Sequence, residues 1–390
     1  MEIQELFKVM VEREASDLYL TVARPPMYRI EGKIQPIGDH IFTPLELETL
    51  VKSVMSESQL RDYGENMELN MAMSLPGVSR FRVNVFRQRG SAGMVIRRVK
   101  AEVSSLEELN LPDILKEITM SKRGLVLVVG ATGSGKSTTL AAMVDHRNAT
   151  ESGHIITIED PIEFVHRHKK SIVTQREVGF DTHSFQAALK NTLRQAPDVI
   201  LIGEIRDTET MEAAVTFAET GHLCLGTLHS NNANQAIERI MNFFPLERHA
   251  QIYLQLSLNL RSIISQRLIP SVDAKRVAAL EILMDTPRIR DLIKKGDVDI
   301  LKEAMEQGVQ EGCQTFDQAL FMLYKESQIS LDQALINADS ANNLRLKIKL
   351  AGLKGDEEPE QLQQSPKGSA REDSKLEALK SNSAFRLRKN

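Results

Sequence analysis

The spacing of apolar residues changes character along the chain. In residues 1–100 the apolar positions form short segments, which predict an amphipathic helix at 1–12, strands at 17–21, 27–30, 33–37, 79–86 and 93–99, and a helix from Thr43 to about Met55. The segment 79–86 alternates strictly, with apolar residues on one face and Arg80, Arg82 and Asn84 on the other. This mixture of strands and helices predicts a small α+β domain.

A different pattern begins after a connector at 101–113. Apolar runs alternate there with helical segments, and the runs predict strands at 125–129, 155–158, 199–202, 223–227 and 277–283. Strands that alternate with helices are typical of a parallel α/β sheet, so residues 114–285 are predicted to form the core. Helical spacing continues through 286–353, and the segment 354–390 has the composition of a disordered, solvated tail.

The first strand of this core leads into a glycine-rich loop, Gly130-x-x-x-x-Gly135-Lys136-Ser137, and a helical segment follows. Strand, loop and helix in this order are the context in which the Walker A sequence binds phosphates. The glycines let backbone N–H groups turn toward an anion, Lys136 places a positive charge on the β- and γ-phosphates, and Ser137 offers a hydroxyl ligand to Mg²⁺. The predicted ATP-binding residues are Gly130, Ala131, Thr132, Gly133, Ser134, Gly135, Lys136, Ser137 and Thr138.

Two other strands lead to acidic residues. Residues 198–204 form an apolar strand that leads to Glu204, the Walker B arrangement, and the carboxyl end of such a strand faces the crevice that holds the Walker A loop. Glu204 is predicted to hold the Mg²⁺ shell and to polarise the attacking water. The strand at 155–158 delivers Glu159, Asp160 and Glu163, a second acidic group suited to water activation or Mg²⁺ contacts. A solvated surface loop is the alternative interpretation of this second group.

Histidines and arginines extend the predicted chemistry. His222 and His229 lie at the two ends of the strand at 223–227, and His229, at the carboxyl end, is the better candidate for sensing the γ-phosphate. Arg82 and Arg97 lie on the two paired strands of the first domain. An arginine from a neighbouring subunit can accelerate phosphoryl transfer by ~10³–10⁵. In a ring, these arginines are therefore predicted to reach a neighbour's nucleotide; a solvated basic sheet face is the alternative.

Composition narrows the possible functions. No apolar run approaches the ~20 residues of a membrane-spanning helix, so no integral membrane segment is expected. The first residues lack the basic and apolar regions of a signal peptide, which predicts a cytoplasmic location. The net charge of −4 gives no general affinity for nucleic acid and disfavours a nucleic-acid translocase. Two cysteines, Cys224 and Cys313, are too few for a four-cysteine zinc site.

The four motifs, in this order, resemble those of the secretion-superfamily ATPases of type IV pili. The likeness is to the PilT/PilU-type retraction group, closest to its PilU branch, and extends over nearly all of residues 1–350. Residues 130–137 match its Walker A sequence, 158–163 its Asp box, 198–204 its Walker B sequence and 220–229 its His box. The stretches 173–179, 192–198, 217–224 and 314–320 have the same character.

This resemblance implies a PAS-like N-terminal domain, a RecA-like P-loop ATPase core and a homohexameric ring at the cytoplasmic base of the pilus. The implied partners are a PilT-type retraction ATPase and the inner-membrane platform protein of the pilus. The resemblance assigns Glu163 as the catalytic carboxylate of the Asp box, Glu204 as the Walker B glutamate, and Arg82 and Arg97 as nucleotide contacts. Extension ATPases of this superfamily usually carry a four-cysteine zinc motif, so the two separated cysteines favour retraction.

One segment departs from the resemblance. PilT proteins carry an Ala-Ile-Arg-Asn-Leu-Ile-Arg-Glu sequence needed for retraction, whereas residues 287–294 keep only Ile289-Arg290 and Leu292-Ile293. Two functions are therefore predicted. The first is Mg²⁺-dependent ATP hydrolysis by a hexameric ring that drives or assists pilus retraction in twitching motility. The alternative is an ATP-binding accessory ring that docks on a PilT-type motor and reinforces it.

Overall fold

A computed structural model of the chain describes residues 2–75, 79–99 and 103–353. Two sheets organise these residues, a six-stranded one in the N-terminal part and a seven-stranded one in the core. Each sheet has its own apolar cluster, and the two clusters share no residue. The mixed α/β fold class predicted from the sequence is confirmed.

The N-terminal sheet is antiparallel throughout, with the spatial order β3-β2-β1-β6-β5-β4. Its strands are β1 (Asp17–Leu20), β2 (Met27–Ile30), β3 (Lys33–Pro36), β4 (Glu68–Leu75), β5 (Ser79–Gln88) and β6 (Ser91–Val99). The helices of this part are α1 (Ile3–Glu12), α2 (Pro44–Ser53) and α3 (Glu57–Asn66). The alternation in β5 buries Phe81, whose ring stacks on Phe7 of α1 with centroids 4.0 Å apart. The opposite face of β5 carries Arg80 and Arg82.

The core sheet is parallel except at one edge. Its strands are β7 (Gly124–Val129), β8 (His154–Glu159), β9 (Ile172–Glu177), β10 (Val199–Ile202), β11 (Leu223–Leu228), β12 (Leu260–Pro270) and β13 (Arg276–Met284), in the order β13-β12-β7-β11-β10-β8-β9. All residues of β7 are buried, as expected for a strand covered on both faces. The prediction of a parallel arrangement was wrong for 277–283, because β13 pairs antiparallel with β12.

The core helices are α4 (Ile114–Thr119), α5 (Lys136–Thr150), α6 (Phe185–Thr192), α7 (Thr208–Glu219), α8 (Ala233–Met241), α9 (His249–Asn259), α10 (Pro287–Lys295) and α11 (Leu301–Gln307). The helix predicted at 207–220 is α7, which begins after Asp207 in a capping box with Thr210. It ends before Gly221, whose φ of +97° only glycine adopts easily.

The last described helices are α12 (Phe316–Lys325), α13 (Leu331–Asn337) and α14 (Ala341–Leu350). Together with the carboxyl end of β12 and the amino end of β13, they enclose a third apolar cluster. Helices α10 and α11 contribute instead to the main core cluster. In the described part of the chain, no helix combines the length and apolarity needed to cross a bilayer. The predicted disordered tail at 354–390 lies outside the described residues.

The parallel order of β7, β8, β10 and β11 has one consequence for function. Their carboxyl ends lie along the same edge of the sheet, and the loops that follow them therefore converge there. These are the loops that carry the Walker A, Asp box, Walker B and His box residues.

Candidate active site

The Walker A loop links β7 to α5, and two of its glycines are required by close contacts. A Cβ on Gly130 would lie 2.4 Å from Ser134 Oγ and 2.6 Å from the carbonyl oxygen of Gln266. A Cβ on Gly135 would lie 2.7 Å from Gln266 Nε2. Both glycines also have positive φ angles, of +156° and +90°. Gln266, on β12, therefore sits tightly against both ends of the loop, and its Oε1 accepts a 2.7 Å hydrogen bond from Thr139 Oγ1.

Lys136 is the first residue of α5 and is buried, with 8% of its surface exposed. Its Nζ donates hydrogen bonds to the carbonyl oxygens of Gly130 at 2.8 Å and Ala131 at 3.0 Å. Burial lowers the pKa of Lys136, and the carboxylates of Glu204 and Glu163 oppose that shift. The ammonium group is thus held inside the loop, with acidic residues on its other side.

Glu204 follows β10 and faces His229, which follows β11. Glu204 Oε1 lies 3.4 Å from His229 Nε2, and its other oxygen lies 3.7 Å from Arg206 Nε. Burial and the positive charge of Lys136 lower the pKa of His229. The negative charge of Glu204 raises this pKa, but by a smaller amount than either of them lowers it. The surroundings of His229 thus favour its neutral imidazole form. The structure brings together Lys136, Glu204 and His229, the residues predicted from three separate motifs.

The three carboxylates of the Asp box have different surroundings. Glu159 accepts hydrogen bonds from Thr157 Oγ1 at 2.6 Å and Gln175 Nε2 at 3.2 Å, and burial raises its pKa. Asp160, which precedes Pro161 through a cis peptide bond, pairs with Arg206 at 2.8 Å. Glu163 is exposed and lines the same cavity as Lys136 and Glu204.

The predicted arginines are placed differently from one another. Arg82 on β5 donates a hydrogen bond to the carbonyl oxygen of Ile162 in the Asp box of its own chain, and burial lowers its pKa. Arg97 on β6 is largely exposed and pairs with Asp17 at 2.8 Å, which raises its pKa. The sequence predicts that in a ring these arginines reach a neighbour's nucleotide, with a solvated sheet face as the alternative. The structure of the single chain places Arg82 against the Asp box of its own subunit, and the action across subunits stays a prediction.

Sequence reasoning missed several residues that complete this arrangement. Arg80 donates to the carboxylate of Glu177 on β9 at 3.3 Å, so a second arginine of β5 contacts the core. The signal was present, because Arg80 and Arg82 are two residues apart and share one face of the strand. Gln266 and Arg206 had no such signal, because they lie outside the four motifs.

These elements surround a cavity of about 460 Å³. Its lining includes the Walker A residues Thr132, Gly133, Gly135, Lys136, Ser137 and Thr138, together with Glu163, Glu204 and His229. Within the described residues, no group of three or more His, Cys, Asp or Glu side chains is arranged to enclose a metal ion. The hydroxyl of Ser137 and the carboxylate of Glu204 nevertheless suit Mg²⁺, which usually takes one or two protein oxygens and completes its shell with phosphate and water.

Comparison with known proteins gives consistent results. A family model described as "Type II/IV secretion system protein" matches residues 2–329. The chain is 55% identical over 351 residues to the type IV pilus ATPase PilU of Pseudomonas aeruginosa, covering 90% of this chain and 92% of the relative. It is 44% identical over 343 residues to PilT, the type IV pilus retraction ATPase of the same organism, covering 88% and 100%. The crystal structure of the pilus retraction motor PilT with bound ADP matches with a TM-score of 0.82 and 46% identity, covering 89% of this chain and 99% of that one.

Proposed function

The chain belongs to the type II/IV secretion system protein family, and on that premise we propose that it is a hexameric ring that hydrolyses Mg²⁺-ATP to drive or assist retraction of a type IV pilus. It is a P-loop ATPase of the pilus retraction type.

One observation carries the proposal. Lys136, Glu204, His229 and Glu163 come from four segments that are distant in sequence, and all of them line the same cavity. Catalysis of phosphoryl transfer depends mainly on positioning and on charge around the phosphates. A loop that cradles phosphates beside two carboxylates and a neutral histidine supplies both.

Each residue has a proposed role. The N–H groups of the Walker A loop and Lys136 bind the phosphates, and Ser137 and Glu204 hold Mg²⁺, which neutralises phosphate charge when bound. Glu163 takes the proton of the attacking water. His229, in contact with Glu204, senses the γ-phosphate through a hydrogen bond, so its position changes when that phosphate leaves. Arg82 adds positive charge from the N-terminal sheet.

The role of Glu204 is tested by Glu204→Ala. We expect this variant to bind ATP nearly as well as the wild type, because the loop and Lys136 remain, but to release phosphate at a strongly reduced rate. Binding is measured with a fluorescent ATP analogue and turnover by phosphate release. Glu209→Ala, at an exposed position early in α7, is the matched control and should behave as wild type. Loss of binding in Glu204→Ala would contradict the assigned role.

The proposed location and partners follow from the family. The described residues contain no helix able to span a membrane. From the family, we propose that the protein is cytoplasmic and associates peripherally with the inner membrane at the pilus base. Its partners there would be the platform protein of the pilus and a PilT-type retraction ATPase. Co-purification with these proteins, and its loss on deleting the platform protein, tests this placement.

A second function, the accessory ring, is favoured by the departure at 287–294. On α10 the retained Ile289 and Ile293 are buried, whereas Arg288, Asp291 and Lys294, where the sequence departs from the PilT segment, are exposed. The differences therefore lie on the surface that a partner would meet. Phosphate release by the purified protein, alone and mixed with a PilT-type partner, separates the two functions. Strong turnover alone supports the motor, and turnover only in the mixture supports the accessory ring.

A further inference from the structure

One face of β5 touches the core at two adjacent points. Arg80 and Arg82 are two residues apart, and both side chains leave the N-terminal sheet toward the core. Arg80 donates to Glu177 Oε2 at 3.3 Å, and Arg82 donates to the carbonyl oxygen of Ile162. The first contact is therefore with β9 and the second with the Asp box, both in the same chain.

These two contacts converge on the backbone of a single residue, Ile162. The N–H of Ile162 donates to Glu177 Oε2 at 3.3 Å, which is the same oxygen that accepts from Arg80. The carbonyl oxygen of Ile162 accepts from Arg82. Ile162 is therefore held at both its N–H and its C=O, one end directly by β5 and the other through Glu177. The next residue in the chain is Glu163.

The burial of Glu177 gives the contact with Arg80 its importance. The Glu177 side chain is only 3% exposed, and that of Arg80 is 24% exposed. A buried carboxylate is costly unless a charged or hydrogen-bonding partner compensates it. The backbone N–H of Glu177 also donates to Asp181 Oδ2 at 2.9 Å, which holds the end of β9 in place. Glu177 is thus a fixed point of the core to which the N-terminal sheet attaches.

We propose that Arg80 and Glu177 form an interdomain latch that holds the Ile162 peptide and thereby positions Glu163 for hydrolysis. Movement of the N-terminal sheet away from the core breaks the contacts of Arg80 and Arg82 together, because both residues belong to one strand. The orientation of Glu163 then depends on whether the two domains are closed. The kinetic part of this inference rests on the proposed ATPase function; the structural part does not.

The kinetic test uses Arg80→Gln. We expect kcat to fall roughly tenfold or more, since small misplacements of a reacting group are costly. KM for ATP should change by less than about threefold, because Arg80 does not line the Walker A loop. Arg87→Gln is the matched control: Arg87 is on the same strand and makes a bidentate pair with Glu48 at 2.8 Å, but within the N-terminal domain. It should retain wild-type kcat.

A second measurement follows the latch without ATP turnover. The Ile162 amide is buried and hydrogen-bonded to Glu177, so its hydrogen exchange reports the contact directly. Arg80→Gln and Glu177→Gln should each accelerate exchange in a peptide covering Ile162 by roughly tenfold or more. Exchange in the Walker A segment should stay unchanged. Exchange at Ile162 equal to wild type in both variants would overturn the latch.

The double variant Arg80→Gln with Glu177→Gln separates positioning from stability. Arg80→Gln leaves a buried carboxylate uncompensated and should lower Tm, whereas the double variant removes that charge and should recover it. A positioning role predicts that kcat stays low in the double variant despite the recovered Tm. Recovery of kcat together with Tm would overturn the proposal. A wild-type protein that never hydrolyses ATP would refute the proposed function, while the exchange experiment would still decide the latch.

Discussion

Two parts of the molecule, which we call the Walker A wall and the arginine wall, hold the residues of the nucleotide cavity in different ways. The Walker A wall is made of backbone from one short segment, and its lysine is bound by carbonyl oxygens of the same loop. The arginine wall does not itself line the cavity: Arg80 and Arg82 on β5 reach from the N-terminal sheet to Glu177 on β9 and to Ile162 in the Asp box, and the next residue, Glu163, lines the cavity. Arg80 Nε and Arg82 Nε are buried without a hydrogen-bond partner among the described residues, whereas Lys136 Nζ has two.

The difference separates binding from hydrolysis. The Walker A wall is formed within one domain and does not depend on how the domains are arranged, so it can bind nucleotide in any arrangement. The arginine wall exists only when the N-terminal sheet lies against the core. We therefore expect changes in the first wall to affect binding and turnover together, and changes in the second to affect mainly turnover.

The largest effect is expected for Lys136→Ala. Loss of the ammonium removes a charge from the phosphate site, and phosphate release should fall by about 10³-fold, with weakened ATP binding. Phosphate release and nucleotide affinity measured on the same preparation check this, with Lys8→Ala on the exposed side of α1 as the control. If the variant retained more than a tenth of the wild-type turnover, the proposed role of the Walker A wall in hydrolysis would be contradicted.

Arg82→Gln is expected to reduce turnover by about 10²-fold with little effect on ATP binding, because Arg82 contacts the Asp box and not the Walker A loop. Mixing the variants decides which subunit it serves. If Arg82 acts within its own subunit, rings mixed from Arg82→Gln and Lys136→Ala chains should show no restored turnover, since every site lacks one group. Restored turnover in the mixture would mean that the arginine acts across subunits.

The two walls also differ in how much of each could be predicted from the sequence alone. The sequence could predict that the Walker A loop, Glu204 and His229 lie together, because each motif is local and follows a predicted strand. It could not predict that Arg82 contacts the Asp box, because alternation in β5 shows that its arginines share a face but not what that face contacts. That information depends on two long-range contacts, one between residues separated by 80 positions in the sequence and the other between residues separated by 97.

The elements missed by periodicity have physical reasons too. In α3 only Tyr63 is buried, so its sequence has no apolar stripe to detect. β12 begins at Leu260 directly after α9 ends at Asn259, without a glycine or proline to mark the boundary. Because β12 was not predicted, the contact of its Gln266 with the Walker A loop could not be predicted either. The antiparallel pairing of β13 was missed for the same reason.

A smaller effect is expected from acid at the loop that follows the Asp box. His166 in this loop is half-buried, and its desolvation lowers its pKa to about 4, from about 6.5 in an unfolded chain. The unfolded state therefore takes up a proton first, so the free energy of unfolding falls as pH drops from about 6.5 toward 4. The loss at pH 5 should be about 2 kcal/mol.

His166→Phe removes this titration and keeps a ring of similar shape, and His166 Nδ1 has no hydrogen-bond partner within the described residues that would be lost. Denaturant unfolding of both proteins at pH 7 and pH 5 isolates His166, because other titrating groups such as Glu159 are common to both. If the wild type and His166→Phe lose equal stability between these pH values, the half-buried neutral histidine is not the cause.

The smallest effect is expected for a substitution that tests whether the Walker A wall depends on contacts outside its own loop. Thr139→Val keeps the side-chain shape but removes the donor to Gln266 Oε1, which leaves a buried acceptor unpaired and should cost about 1 kcal/mol of unfolding free energy. Because the loop's own contacts to Lys136 remain, ATP affinity should change by less than about tenfold. Chemical denaturation and nucleotide titration measure the two quantities, and Thr150→Val, whose hydroxyl bonds only within α5, is the matched control. A much larger loss of affinity would mean that β12 maintains the loop, so that even the Walker A wall depends on distant contacts as the arginine wall does.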